Sequence, residues 1–127
     1  MAERSISAEE RIALYDKLVA SHPVAERKGD TVPYTSLNGN MYSYISKDGF
    51  LALRLGQKDR EAFLEKYNTT LVYSYGIIQK EYVTVPDSLL QKLDEMKPYF
   101  ELSYQYASSL KPKPTTKGKN KWFLALR

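Results

Sequence analysis

The stretch TVPYTSLNGNMYSYISKDGFLALRLGQKDREAFLEKYNTTLVYSYGIIQKEYVTVP, residues 31–86, decides the architecture. Asn38-Gly39 and Asp48-Gly49 are the pairs that two-residue hairpin loops select, because both loop positions take φ > 0. The segments they separate, 31–37, 40–46 and 50–55, read as a three-stranded antiparallel meander. Along the third, Leu51, Leu53 and Leu55 alternate with Phe50, Ala52 and Arg54, so the leucine side is the natural surface for helices. The same alternation on the second places Tyr42 and Tyr44 on one face. Residues 57–67 mix Lys58, Asp59, Arg60, Glu61, Glu65 and Lys66 with Ala62, Phe63 and Tyr67, which predicts a short half-exposed helix. Two more strands follow at 71–75 and 80–85, with Gly76 breaking the run between them.

Helices flank this stretch on both sides. Ser7-Ala8-Glu9-Glu10 has the spacing of a capping box, which satisfies two free N–H groups at a helix start. Ile12, Tyr15, Leu18 and Val19 then recur at helical spacing to about Ala20, and Pro23 sets the stop. Residues 24–30 are a polar connection. Pro86 suits the first turn of a helix, where its missing N–H costs nothing. Leu89, Leu93, Met96, Phe100, Ala107 and Leu110 follow at three- and four-residue steps, with Ser103 in the remaining place. Pro98 interrupts that pattern and is expected to kink the helix or restart it. The order is helix, three-stranded meander, helix, two strands and long C-terminal helix, an α+β fold.

A chain of 127 residues that is 43% hydrophobic and 27% charged can form one soluble domain with its own core. Zero cysteines exclude a disulfide framework, a thiolate nucleophile and a thiolate metal site. No apolar run approaches the roughly 20 residues of a membrane helix, and residues 1–5 lack the apolar region of a secretion signal. A cytoplasmic protein without a membrane partner is expected.

The net charge of +4 is unevenly placed. Residues 1–110 carry 13 of the 19 lysines and arginines and all 15 acidic residues, a balance of −2. The other positive charges are Lys111, Lys113, Lys117, Lys119, Lys121 and Arg127. The chain thus divides into an α+β domain (1–110), a basic Lys/Pro linker (111–121) and a short apolar tail (122–127). Pro112 and Pro114 disfavour regular structure in the linker, which reads either as a solubilising segment or as a phosphate contact. In the tail, residues 123–127 repeat Phe-Leu-Ala-Leu-Arg of residues 50–54 letter for letter. A second copy of a strand sequence could add to a sheet edge.

Residues 38–67, from Asn-Gly-Asn-Met-Tyr-Ser-Tyr-Ile-Ser-Lys-Asp-Gly-Phe-Leu-Ala-Leu-Arg-Leu through the charged helix, resemble the TfoX N-terminal domain family. Tyr82-Val83-Thr84-Val85-Pro86 with the leucine-rich helix after it is similar too, and domains of the YjbR type share much of this pattern. The resemblance covers about residues 8–110. It implies a fold similar to that of the type III secretion chaperones and a small regulatory or interaction domain, with no catalytic residues to carry over. Two features depart from it. Many relatives have Met-Phe-Gly-Gly entering the second strand, where residues 36–40 here read Ser-Leu-Asn-Gly-Asn and keep only Gly39. Residues 111–127 cannot supply the second, helical domain of the two-domain competence regulators.

Signals for catalysis are sparse. His22, the sole histidine, precedes Pro23 at a helix end, where a positive group suits the helix dipole and the last carbonyls. One histidine and scattered acids match no zinc or calcium spacing. The glycines at 29, 39, 49, 56, 76 and 118 form no phosphate cradle, and there is no Gly-x-Ser-x-Gly elbow. No enzyme, metal, cofactor or small-molecule ligand is expected.

Eleven tyrosines outnumber the four phenylalanines and single tryptophan. Those on predicted strands either fill a half-exposed sheet by propensity or, gathered beside Arg54, form a platform for recognition. Tyr42, Tyr44, Arg54 and Tyr82 are the residues expected at such a surface, facing a protein partner or a second copy. The alternative is a nucleic-acid accessory protein that sets Lys111, Lys113, Lys117, Lys119 and Lys121 on phosphates. A hydrolytic or ligand-processing enzyme would instead need a pocket of perturbed titratable groups.

Overall fold

The computed structural model describes residues 6–29, 32–46, 49–74 and 76–112, with Ser74 described in its backbone alone. Ser7 caps the first helix as its spacing predicts. Its hydroxyl accepts from the Glu10 amide at 3.1 Å, and the Glu10 carboxylate accepts from the Ser7 amide at 3.0 Å. This helix, α1 (Ala8–Ala20), buries Tyr15, Leu18 and Val19. Strand β1 (Tyr34–Leu37) turns into β2 (Asn40–Ile45) through Asn38 and Gly39, with φ of 53° and 82°, the two positive values that such a turn demands. β3 (Leu51–Arg54) completes the meander, while Asp48 of the second turn lies outside the described residues. α2 (Gln57–Tyr67) has the bounds read from its charge pattern.

β4 (Leu71–Ser74) and β5 (Ile77–Val85) form a hairpin through Gly76, whose φ is 77°. β5 therefore starts earlier than the expected residue 80. All pairings are antiparallel, in the order β1-β2-β3-β5-β4, so β1 and β4 form the two edges. Ile45, Leu51 and Val85 make one row across the sheet, and Ser43, Leu53 and Val83 make the next. These rows meet Tyr15, Leu18, Phe63, Met96 and Phe100 from the helices in the buried core. Each such large apolar side chain contributes about 1.5–3 kcal/mol by leaving water.

The C-terminal helix differs from its expected course. Pro86 caps a short helix α3 (Asp87–Leu90), and the chain breaks at Lys92 (φ −106°, ψ 75°) before α4 (Leu93–Ser109). α4 then runs through Pro98 without ending. The break has a tertiary cause. Arg11 of α1 grips the Asp87 carboxylate through Nε at 2.8 Å and Nη2 at 3.0 Å, which docks α3 with both Leu89 and Leu90 buried. Restarting at Leu93 lets α4 set Met96, Phe100, Ser103 and Ala107 inward. Among the described residues no helix is long and apolar enough to cross a membrane. Lys111 and Pro112 are exposed, and residues 113–127, with the repeated pentapeptide, lie outside the described residues.

Candidate functional site

Tyr42 and Tyr44 do not share a face. Pairing runs Tyr34 to Tyr44 and Thr35 to Ser43, then Ser36 to Met41, so Tyr42 is an extra residue in β2 with no counterpart on β1. Such a bulge interrupts the alternation of side chains. Tyr42 and Ser43 both turn toward the helices. The Tyr42 ring lies 5.7 Å from that of Phe100 and 5.8 Å from that of Tyr104, and the residue is 1% exposed. Burial pushes its phenol pKa up, against the opposing effect of a hydrogen bond with Thr35. Tyr42, expected at a recognition surface, is a core residue instead.

The other three expected residues do converge, on the side of the sheet away from the helices. Register places Tyr34, Tyr44, Ala52 and Thr84 in one row and Arg54 beside Tyr82 in the next. The rings of Tyr44 and Tyr82 meet nearly edge to face, with centroids 5.3 Å apart and planes at 70°. Arg54 Nε donates to Glu81 Oε1 at 2.7 Å, and Nη1 donates to the Met41 carbonyl at 3.2 Å. The Tyr82 hydroxyl donates to that same carbonyl at 2.8 Å. From α4, the Tyr106 hydroxyl donates to Glu81 Oε2 at 2.9 Å. The guanidinium carbon lies 5.6 Å from the Tyr82 ring centroid and 5.9 Å from that of Tyr106.

This cluster joins β2, β3, β5 and α4 through one ion pair. Burial raises the Glu81 pKa, but the hydrogen bonds from Arg54 and Tyr106, with the charges of Arg54 and Arg60, outweigh it and hold the carboxyl below its usual range. Burial pushes the Tyr82 and Tyr106 phenols up, and for Tyr106 the bond to Glu81 adds to the rise. The Arg54 charge is thus engaged within the domain rather than held out for a ligand. Arg54 stands beside the half-buried Tyr82 ring, and Tyr44 packs against Tyr82 in turn.

Glu81 and Tyr106 were not among the residues expected from sequence. Glu81 could have been found from strand register, since it neighbours the residue opposite Arg54. Tyr106 carries no local signal, because the docking of α4 brings it to the sheet. Gly56 permits that approach: a Cβ there would stand 3.2 Å from Tyr106 Cδ1.

His22 serves the fold. Its Nδ1 accepts from the Val24 and Ala25 amides, both at 3.2 Å, which leaves the proton on Nε2 to donate to Glu101 Oε1 at 2.7 Å. The ring packs 4.6 Å from that of Tyr104 and closes the turn after α1. A shallow cleft of about 340 Å³ beside it is lined by Ser21, Pro23, Phe100 and Glu101 among others, and is separate from the Arg54 cluster. Among the described residues no group of three or more His, Asp or Glu side chains could hold a metal ion. Of the linker lysines, Lys111 is held by its carbonyl, which accepts from Asn40 Nδ2 at 3.1 Å. Lys113, Lys117, Lys119 and Lys121 lie outside the described residues. Comparison with protein-family models, with curated proteins and with solved structures finds no match to this chain.

Proposed function

We propose that this chain is a small cytoplasmic interaction domain of the TfoX N-terminal type, which acts by binding another protein or a second copy of itself rather than by catalysis. The family part of this reading rests on the sequence likeness over about residues 8–110. The binding part rests on one observation: the Tyr44–Tyr82 pair lies on the sheet side away from the helices, with Tyr82 beside Arg54, whose guanidinium Glu81 anchors at the end of the sheet where Tyr106 of α4 also meets Glu81. Aromatic rings already fixed before contact lose little freedom on binding, and tyrosine is a frequent interface anchor. A photoreactive phenylalanine analogue at position 44 in living cells tests this, with the same probe at exposed Lys58 on α2 as the comparison. A discrete protein adduct at 44 and none at 58 is expected. Equal labelling at both, or none at 44, would overturn the reading.

The charge asymmetry favours a second reading, in which the linker lysines contact nucleic acid. Fluorescence anisotropy with duplex DNA across a salt series separates the two. Phosphate binding loses affinity with a log–log slope of about −0.9 per contact, and replacing the five linker lysines by glutamine would abolish it. An interaction domain without a nucleic-acid role gives no binding at physiological salt in either protein.

A further inference from the structure

The two edges of the sheet differ in kind. On the outer side of β1, Lys28 forms a bridge with Tyr34: its amide donates to the Tyr34 carbonyl at 2.8 Å and its carbonyl accepts from the Tyr34 amide at 2.9 Å. β4 stands last at the opposite end and, among the described residues, pairs with β5 alone. Tyr73 and Ile78, directly across from each other in that hairpin, are 66% and 56% exposed, and Ile77 is 54% exposed. No charged residue occurs between Lys66 and Lys80, in a chain where 27% of residues are charged. Edge strands are ordinarily blunted by lysine, proline, a bulge twisting them away or a covering segment. At β1 the Lys28 bridge covers the Tyr34 position. β4 has neither charge nor proline, and its one irregularity lies at its start, between Leu71 and Val72, which leaves Val72, Tyr73 and Ser74 in regular pairing.

We infer that β4 is a self-pairing edge, on which the β4 of a second copy docks antiparallel about a two-fold axis and joins the two sheets into one. This goes beyond the binding reading above, because it places the contact on the β4 edge and not on the Tyr44–Tyr82 pair. A second copy is the occupant because of charge. Near a two-fold axis each residue faces its own copy, so a charged edge repels itself, whereas a neutral one does not. The uncharged run spans all of β4, the turn and the first residues of β5. The Lys28 bridge occupies the β1 edge at Tyr34, which disfavours growth from that side beyond two copies. Tyr73 and Ile78 of both copies then form one apolar cluster across the junction. A contact of one short strand falls at the small end of specific interfaces, under about 1,200 Å², so the dimer forms with rising concentration.

Sedimentation equilibrium of the full chain from about 5 to 500 µM, where contacts of this size associate, is the test. The mass is expected to rise from 14.6 kDa toward twice that value. Tyr73→Lys, at a position already exposed, should weaken association at least tenfold with an unchanged circular dichroism spectrum. Lys58→Glu, at an exposed position of α2, should leave it unaltered. In this cysteine-free chain Tyr73→Cys should also give a covalent dimer on oxidation, whereas Lys58→Cys should not. A monomer throughout overturns the inference. Association that survives Tyr73→Lys but not Tyr44→Lys overturns it too, and leaves the Tyr44–Tyr82 binding reading in place. A monomer that dimerises once Leu124 and Leu126 are both changed to Glu would make residues 123–127 the occupant of the edge, and equally overturns it. Association abolished by Tyr73→Lys, together with no adduct from the probe at position 44, supports the β4 contact and removes the tyrosine pair from the binding reading.

Discussion

Arg54 Nε lies 2.7 Å from Glu81 Oε1, although the register sets Tyr82, not Glu81, across from Arg54. The guanidinium therefore reaches diagonally to a residue that belongs to the next position along β5. There it also holds the carboxylate that accepts from Tyr106, so a single ion pair fixes the end of β3 against α4. Arg54→Met should destabilise the domain by about 1–2 kcal/mol, because it takes the charged donor from a partly buried carboxylate, which keeps Tyr106, and one of two donors from the Met41 carbonyl, which keeps Tyr82. In a double-mutant cycle with Glu81→Gln the coupling should be about 0.5–1 kcal/mol, as expected for a pair with one half-exposed partner. Urea unfolding of the four proteins measures it, and coupling indistinguishable from zero would remove the pair from the account of stability.

The same cluster sets a pH dependence. Glu81 has its pKa lowered in the folded chain, so the unfolded chain binds the proton more readily. Its contribution is complete above the unfolded carboxylate value and is lost as the pH falls through the lower folded value. Wild-type stability should thus decline on acidification through and below the usual carboxylate range. Glu81→Gln should show a shallower decline over that window, measured as urea midpoints from neutral to acid pH. Parallel curves for the two proteins would show that Glu81 has no part in the acid response.

A buried hydroxyl chain lies on the other side of the sheet. The Tyr15 hydroxyl and Ser43 Oγ are 2.6 Å apart, and Ser43 Oγ also bonds Thr35 Oγ1. Ser43→Ala leaves two buried hydroxyls without that partner and should cost about 2 kcal/mol or more. Tyr15→Phe removes one group while Ser43 keeps Thr35, and should cost about 1 kcal/mol. The order of the two losses in denaturant unfolding is the check. Burial also pushes the Tyr15 phenol well above its ordinary range, against the hydrogen bonds from Ser43 and Thr35. Because the folded pKa is the higher one, this contribution is present below the unfolded value, about 10, and is lost as the pH rises past it. Tyr15→Phe should soften the alkaline loss of stability.

Features governed by neighbouring residues could be read directly from the chain. The Ser7–Glu10 box, the Asn38-Gly39 turn and the bounds of α2 each depend on a few adjacent positions, and each stands where it was expected. Tyr42 was misplaced because a bulge is one surplus residue, with nothing in Met-Tyr-Ser-Tyr to mark where pairing slips. Glu81 and Tyr106 were missed because their meeting with Arg54 depends on register and on how α4 docks. The break at Lys92 has no glycine or proline to announce it. It follows from the Arg11–Asp87 contact, which spans 76 positions of sequence.

Pro98 offers the opposite case, a strong local breaker that the fold overrides. It lies within α4, where the ring denies a hydrogen bond to the Asp94 carbonyl and crowds it. The helix continues because Met96 and Phe100 on either side are buried and anchored in the core. The Pro98 side chain is exposed, so its replacement removes no core packing. Pro98→Ala should therefore stabilise the domain by about 1–3 kcal/mol, the cost of an interior proline less what the constrained unfolded chain already gives back. Thermal unfolding of the variant is the measurement. A lower midpoint than wild type would mean that α4 must bend at Pro98 for Met96 and Phe100 to reach the sheet together, and that the proline shapes the helix rather than merely being tolerated by it.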